Sequence, residues 1–302
     1  MTVSVCIATF KRPDRLGFLL DDLRRQTRLP EQVVVVDNDS WGSARAVVQC
    51  YRASSPPFAV DYEVQPERSI AKTRNRTVAL AHGDWIAFID DDERAPAEWL
   101  TQLIDAAATY AADGVLGPVE PNVPEVAPTW IRRGRFYDFP RLPTGEVVPL
   151  NRMRFGNVLL RRAYLRMVPG PFDYRYGLST GEDGDLLVRL SQNGARIIWC
   201  DSAGVSEPIE SQRLSLRWLM RRAMCGGQEF GRQTLRGAYG KISWFGKVQF
   251  GTRAFLQLLV AFALALISLP AGRHRAAAWL VKGAANAGKL TAFWSGRFLA
   301  YA

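Results

Sequence analysis

The stretch GDWIAFIDDDERAP, Gly83 to Pro96, is an apolar run that stops abruptly at three consecutive carboxylates. Trp85 to Ile89 reads as a short buried strand, and Asp90, Asp91 and Asp92 stand at its end. Three adjacent like charges repel, so a fold tolerates them at the mouth of a sheet where a cation or a ring of donors neutralises them. Alternation along an extended segment turns Asp90 and Asp92 to one side and Asp91 to the other, a D-x-D pair able to share one hard cation. The same acids also suit the start of a helix expected over 96–109, but capping needs one carboxylate, not three.

Upstream, Val3 to Ile7 and Val33 to Val36 are further β-branched runs, ending in Thr9 and in Asp37-Asn38-Asp39-Ser40. Helical patterns follow each: from Pro13 through Gln26, from Ser43 to Tyr51 and, after an extended segment at Val60 to Val64, from Ile70 to Ala81. Strands alternating with helices predict an α/β fold with a mostly parallel sheet covered on both faces, whose ligands bind where strands end. Three strands then end in polar groups at one edge. Neither a G-x-G-x-x-G nor a G-x-x-x-x-G-K-[ST] loop occurs. A nucleotide is therefore read by single polar groups: Asp37 accepts from a base N–H, and Arg12 or Arg74 pairs with phosphate.

Downstream of a strand-like 114–119, a proline-rich segment carrying Trp130, Phe136, Tyr137 and Phe139 predicts an irregular flap beside the site, its aromatics suited to stacking on a sugar or to packing. A returning strand follows over 154–160 with Gly156 and Asn157. Glu182, Asp183 and Asp185 crowd the first turn of a helix in GEDGDLLVRL; they suit the helix dipole, and one of them suits a general base. Ser211 to Arg222 opens another helix, with Arg213, Arg217 and Arg221 spaced by four along one face.

Charge divides the chain. Residues 211–302 carry 14 Lys+Arg and one acid, Glu229, whereas the first 210 residues hold 25 basic and 28 acidic side chains. The division predicts a catalytic domain over 1–210 and a basic helical region over 211–302. The basic residues flank an uncharged apolar run over 254–272, long enough to approach a bilayer span; a weaker apolar stretch follows over 276–299, broken by Lys282, Lys289 and Arg297. That pattern favours a membrane surface over nucleic acid as partner, with spanning, re-entrant and in-plane arrangements all open. The four cysteines are far apart without C-x-x-C spacing, which excludes a zinc ribbon or disulfide framework and fits a reducing compartment.

Taken together, SVCIATFKRPDRL, VVVVDNDS, AKTRNRTVALAHGDWIAFIDDDE, GNVLLRR and GEDGDLLVRL resemble, in order and separation, a family 2 glycosyltransferase with the GT-A nucleotide-sugar fold. The segment from Gly181 through VSEPIESQRLSLRWLMRR is similar to bacterial exopolysaccharide glucosyltransferases of the succinoglycan type. The resemblance implies that Thr9, Arg12 and Asp37 surround the uridine of a UDP-hexose. It places Arg74 near the diphosphate, Asp91 against the nucleotide sugar, and Asp90 and Asp92 as the D-x-D pair, with Asp92 binding Mn2+ or Mg2+ directly. Asp183 is the implied base of an inverting displacement. The basic apolar tail, beside that resemblance, leads to the expectation of a polyprenyl-diphosphate-linked glycan at the cytoplasmic face of the inner membrane as acceptor. The Q-x-x-R-W motif of processive synthases is absent, since Gln212 lies five residues before Arg217. A nucleotidyltransferase would need a Gly-rich loop that residues 8–15 lack, and a membrane scaffold without activity would not need intact acids at 90–92 and 182–183.

Overall fold

A computed structural model describes residues 1–168, 170–176 and 181–294; the end of the apolar stretch expected over 276–299 lies outside the described residues. Two compact units separate: the first is Met1–Glu120 with most of 139–207, the second Pro121–Asp138 with the chain from Pro208 onward.

In the first unit β1 (Val3–Thr9), β2 (Gln32–Asp37), β3 (Ala59–Val64) and β4 (Trp85–Phe88) are parallel, joined through α1 (Pro13–Arg24), α2 (Arg45–Ala53) and α3 (Ile70–Leu80). After α4 (Trp99–Thr109) come β5 (Gly114–Leu116), β6 (Val119–Asn122), α5 (Thr129–Gly134), β7 (Val158–Arg161), α6 (Arg162–Arg166), α7 (Glu182–Gln192), β8 (Ile197–Trp199) and β9 (Val205–Pro208). The sheet order is β3-β2-β1-β4-β7-β5-β8, with β7 antiparallel to both neighbours; β6 and β9 form a separate ribbon. The chain winds outward from β1 through β2 to β3 and then returns to place β4 on the other side of β1. The switch point is therefore between β1 and β4, the place beyond whose strand ends sheets of this kind bind their ligands.

Period two explains the two cores. Val3, Val5 and Ile7 of β1 pack with Val33, Val35, Leu16, Leu19, Leu23 and Trp99 on one face, while Cys6, Val34, Val36, Ile86 and Phe88 meet Leu186, Leu187 and Leu190 on the other. Helix α4 starts at Trp99, with Glu98 at its N-cap position and no side-chain cap. The three aspartates therefore do not cap it.

The second unit contains α8 (Leu216–Leu235), α9 (Trp244–Ser268) and α10 (Arg273–Thr291). Three aromatics of the proline-rich segment belong here, Phe139 lying in the first unit under the Arg154 guanidinium: Ile131 and Tyr137 are buried with Ile209 and Leu219, and Trp130, Phe136 and Trp218 pack on them. Packing, not sugar stacking, occupies Trp130, Phe136 and Tyr137, and the Tyr137 hydroxyl donates to the Arg213 carbonyl at 2.7 Å. Helix α8 begins only at Leu216, because the Ser215 side chain caps it through the Trp218 N–H. Arg213 sits in a preceding 3-10 turn, so the expected arginine face shortens to Arg217 and Arg221.

Candidate active site

The loop after β1 turns sharply. Lys11 takes φ 55, a left-handed value rare for a side-chain-bearing residue, and Pro13 then starts α1 with its fixed φ. The turn aims Arg12 across the switch point. Its Nη1 donates to Asp91 Oδ1 at 3.2 Å and to Asp92 Oδ2 at 2.8 Å, and Arg15 Nη1 stands 3.6 Å from Asp92 Oδ2. The Thr9 hydroxyl donates to Asp91 Oδ2 at 2.7 Å. The ends of β1 and β4 are thereby tied together through Asp91, whose carboxyl burial pushes up to about 6 against the pull of Arg12.

The expected alternation of the three aspartates is not observed. Strand β4 ends at Phe88, and residues 91 and 92 form a turn, so the directions of Asp90 and Asp92 are set by that turn and not by strand alternation. Asp91 and Asp92 share Arg12, whereas Asp90, its side chain 46% exposed, accepts from Arg74 at 3.2 Å. Glu93 holds the turn from behind: the Asp90 N–H donates to Glu93 Oε2 at 3.1 Å, and complete burial near Asp90 and Asp92 raises the Glu93 carboxyl well above its ordinary range. Gly156, at φ 114, leaves the room this needs, since a Cβ there would stand 3.0 Å from Glu93 Oε1. Sequence reasoning gave neither residue a role, though Glu93 directly continues the acidic run.

Arg74 is the hub. Its guanidinium lies 4.7 Å from the Phe155 ring centroid and 5.7 Å from that of Phe172. It donates to Glu182 Oε1 at 2.9 Å and stands 3.6 Å from Asp183 Oδ2. One cation thus joins the acids after β4 to those at the start of α7. Asn75, next on α3, exchanges two hydrogen bonds with the Phe172 backbone, at 2.7 and 2.9 Å, and fixes that wall. Asp183 is the more open of the α7 pair, its side chain 33% exposed against 5% for Glu182, with Oδ1 accepting from the Gly184 N–H at 2.6 Å.

Burial and the nearby Asp183 charge raise the Glu182 carboxyl to about 8, with Arg74 opposing. A group that holds its proton more tightly in the folded than in the unfolded chain stabilises the fold at low pH and loses that contribution as pH rises through its folded value. Unfolding free energy of the ligand-free protein should therefore fall by about 1.4 kcal/mol per pH unit from this one group, in the window between its ordinary 4.5 and about 8. Glu182→Gln should remove that component of the slope, as read by urea denaturation across the window; an unchanged slope would assign the burial effect elsewhere.

Asp37 is not where a base could reach it. It is fully buried; Oδ1 accepts from the Asp39 N–H at 2.9 Å, and Oδ2 accepts from the Ala44 N–H at 2.8 Å and the Tyr62 hydroxyl at 3.1 Å. Its work in this structure is to shape the loop after β2, as Asn38 does by binding the carbonyls of Gln65 and Glu67. Asp39, itself buried but less completely, makes by contrast one long side-chain contact, from the Trp41 N–H at 3.5 Å.

Around the switch point Asp90, Asp91, Asp92 and Asp183 face Arg12, Arg15 and Arg74, while burial keeps the protons on Glu93 and Glu182, so charge nearly balances and a cation would find its oxygen donors among the aspartates. Among the described residues no three His, Cys, Asp or Glu side chains form a metal-holding group.

The model of glycosyl transferase family 2 matches residues 4–166. The chain is 35% identical over 244 residues to the succinoglycan biosynthesis protein ExoM of Rhizobium meliloti, covering 79% of this chain and 77% of that one. Among solved structures it is similar to the mannosyltransferase PcManGT from Pyrobaculum calidifontis in complex with GDP-Man and Mn2+, at TM-score 0.65 and 19% identity, covering 97% of this chain and 87% of that one. It is also similar to S. aureus TarS in complex with UDP-GlcNAc, at TM-score 0.55 and 17% identity over 94% and 90% of the two chains.

Proposed function

Because the chain belongs to glycosyl transferase family 2, and is thus a glycosyltransferase with the GT-A fold, we propose that it moves a hexose from a UDP-sugar to a lipid-linked glycan, with inversion, in exopolysaccharide biosynthesis. The observation that carries this reading is the joint hold of Arg74 on Asp90 and on the Glu182–Asp183 pair, which brings a diphosphate-binding edge and a base to one crevice. ExoM, a protein of succinoglycan biosynthesis, supports the pathway class, and TarS with UDP-GlcNAc supports the nucleotide.

A divalent cation, Mn2+ or Mg2+, fits the residues present. The donors are hard carboxylate oxygens, Asp90 is half open to solvent, and without a three-ligand protein cage the ion would be held by one or two carboxylates plus diphosphate and water. Asp92 and Asp90 would hold it, and when bound it neutralises charge on the departing diphosphate. Arg74 keeps Asp183 aligned and adds positive charge beside the diphosphate. Asp183 takes the proton of the acceptor hydroxyl, for which its exposure suits it. Thr9, Arg12 and Asp91 act as one unit that orients Asp92 and borders the nucleotide. Of the acids after β2, Asp39 rather than Asp37 has a carboxylate oxygen free of protein partners among the described residues, so base recognition passes to it.

Catalysis belongs to residues 1–210, and residues 211–302 attach the protein to the cytoplasmic face of the membrane, where a polyprenyl-diphosphate-linked acceptor lies. Incubation of the purified protein with a panel of UDP- and GDP-sugars should give slow Mn2+-dependent hydrolysis of a UDP-hexose. Hydrolysis confined to GDP-sugars would overturn the choice of nucleotide.

A further inference from the structure

Helix α9 is built inside out for a protein in water. Ala254, Ala261 and Ala265 are its buried residues, while Phe255, Leu259, Phe262, Leu266 and Ile267 are each at least half exposed. Small side chains face the protein and large apolar ones face away, the reverse of a helix covering a soluble core. Its outer surface holds a shallow groove walled by Phe245, Val248, Leu256 and Val260. Among the described residues α9 is the one helix long and apolar enough to cross a membrane.

Its neighbour forbids crossing. Helix α10 packs on both α9 and α8. A Cβ on Gly227 would sit 2.0 Å from the Ala285 carbonyl oxygen, and one on Gly288 2.1 Å from that of Met224, so the α8 and α10 backbones touch. Helix α10 cannot leave α8 without losing this fit. It carries Arg273, Arg275, Lys282 and Lys289 along its length, charges that a bilayer core resists. A spanning or tip-first α9 would either strip itself from α10 or drag Arg273 and Arg275 into hydrocarbon.

We infer that α9 lies in the plane of an anionic bilayer, its outward face sunk to the level of the upper acyl chains and its whole length, about 37 Å, parallel to the surface. Charge identifies the occupant as lipid rather than a second copy of the chain: from residue 211 on there are 14 Lys+Arg against the single Glu229, so two copies would repel where an anionic surface attracts. Trp244 opens the helix exposed, beside an exposed Phe245, and Trp294 is exposed just after α10; tryptophan favours the headgroup boundary. This inference rests on the reading of residues 211–302 as a membrane-associating region and decides among its arrangements.

The test uses the full chain. Binding to vesicles containing phosphatidylglycerol should exceed binding to pure phosphatidylcholine by at least about tenfold. Joint Phe255→Ser, Leu259→Ser and Phe262→Ser should weaken it by at least about tenfold, with circular dichroism and UDP-sugar hydrolysis in detergent unchanged. In a Cys50→Ser background, which removes the exposed free thiol, single Lys241→Cys and Arg273→Cys variants are labelled in membranes of expressing bacteria with an impermeant thiol reagent. Both positions should react in inside-out vesicles and neither in spheroplasts. Labelling of position 273 from the opposite side would establish a span, and a soluble dimer lost on the triple substitution would establish a protein partner; either overturns the inference. Failure of hydrolysis with every nucleotide sugar, with labelling as expected, would instead strike the transferase reading alone.

Discussion

Asp183→Asn should lower kcat by about 10² to 10⁴, the range for loss of a positioned proton acceptor, while UDP binding stays within a few-fold. The amide is isosteric and its oxygen can still accept from the Gly184 N–H that Asp183 Oδ1 engages at 2.6 Å, so the turn opening α7 is preserved. What disappears is the proton affinity. Single-turnover kinetics beside UDP titration separate the two effects, and near-normal turnover would remove Asp183 from the role of base. Glu182→Gln is the informative companion. Glu182 is 5% exposed and bonded to Arg74, out of reach of an acceptor, so its loss should act through the placement of Arg74 and Asp183 and be much milder.

Asn157→Ala should be the most destabilising single change around the site, by about 3–5 kcal/mol in urea denaturation. The Asn157 side chain accepts from the Trp99 indole N–H at 2.8 Å and donates to the carbonyls of Ala203 at 2.6 Å and Pro118 at 3.1 Å, all buried. Alanine orphans the Trp99 indole N–H and the Ala203 carbonyl, while the Pro118 carbonyl keeps the Val205 N–H at 3.0 Å, and each buried unsatisfied group costs about 1–3 kcal/mol. Asn157→Asp keeps the acceptor for Trp99 but sets a carboxylate against two carbonyls, and so should rescue little. A loss below about 1 kcal/mol would mean that water enters and replaces all three bonds.

The sheet was legible because runs such as Val33 to Val36 are too apolar and β-branched to lie anywhere but between two covered faces. Polar groups at the ends of β1, β2 and β4 were likewise correctly expected at one edge, a consequence of parallel strands. Side-chain direction was not legible. Asp37 and Asp39 look equivalent in sequence, and only the fold of the loop shows that Ala44 and Tyr62 occupy one of them. The hub role of Arg74 depends on Glu182, 108 residues away, a pairing that local pattern cannot reveal. Packing of the proline-rich segment's aromatics is an open expectation of the sequence, but the partner is not legible there: the ring of Tyr137 lies 6.1 Å from that of Trp218, far along the chain. The uncharged apolar run over 254–272 does not mark where α9 begins: Lys247 and Arg253 interrupt hydrophobicity but not the helix that Ser243 caps.

Calorimetric titration of UDP into the wild-type protein and into Asp92→Asn, with and without Mn2+, tests most directly whether the carboxylates beyond β4 grip a diphosphate through a cation. Wild type should bind UDP at least about tenfold more tightly with the metal, and Asp92→Asn should lose that gain while keeping the weak metal-free binding. Equal affinity with and without Mn2+, or a full metal effect in Asp92→Asn, would contradict it.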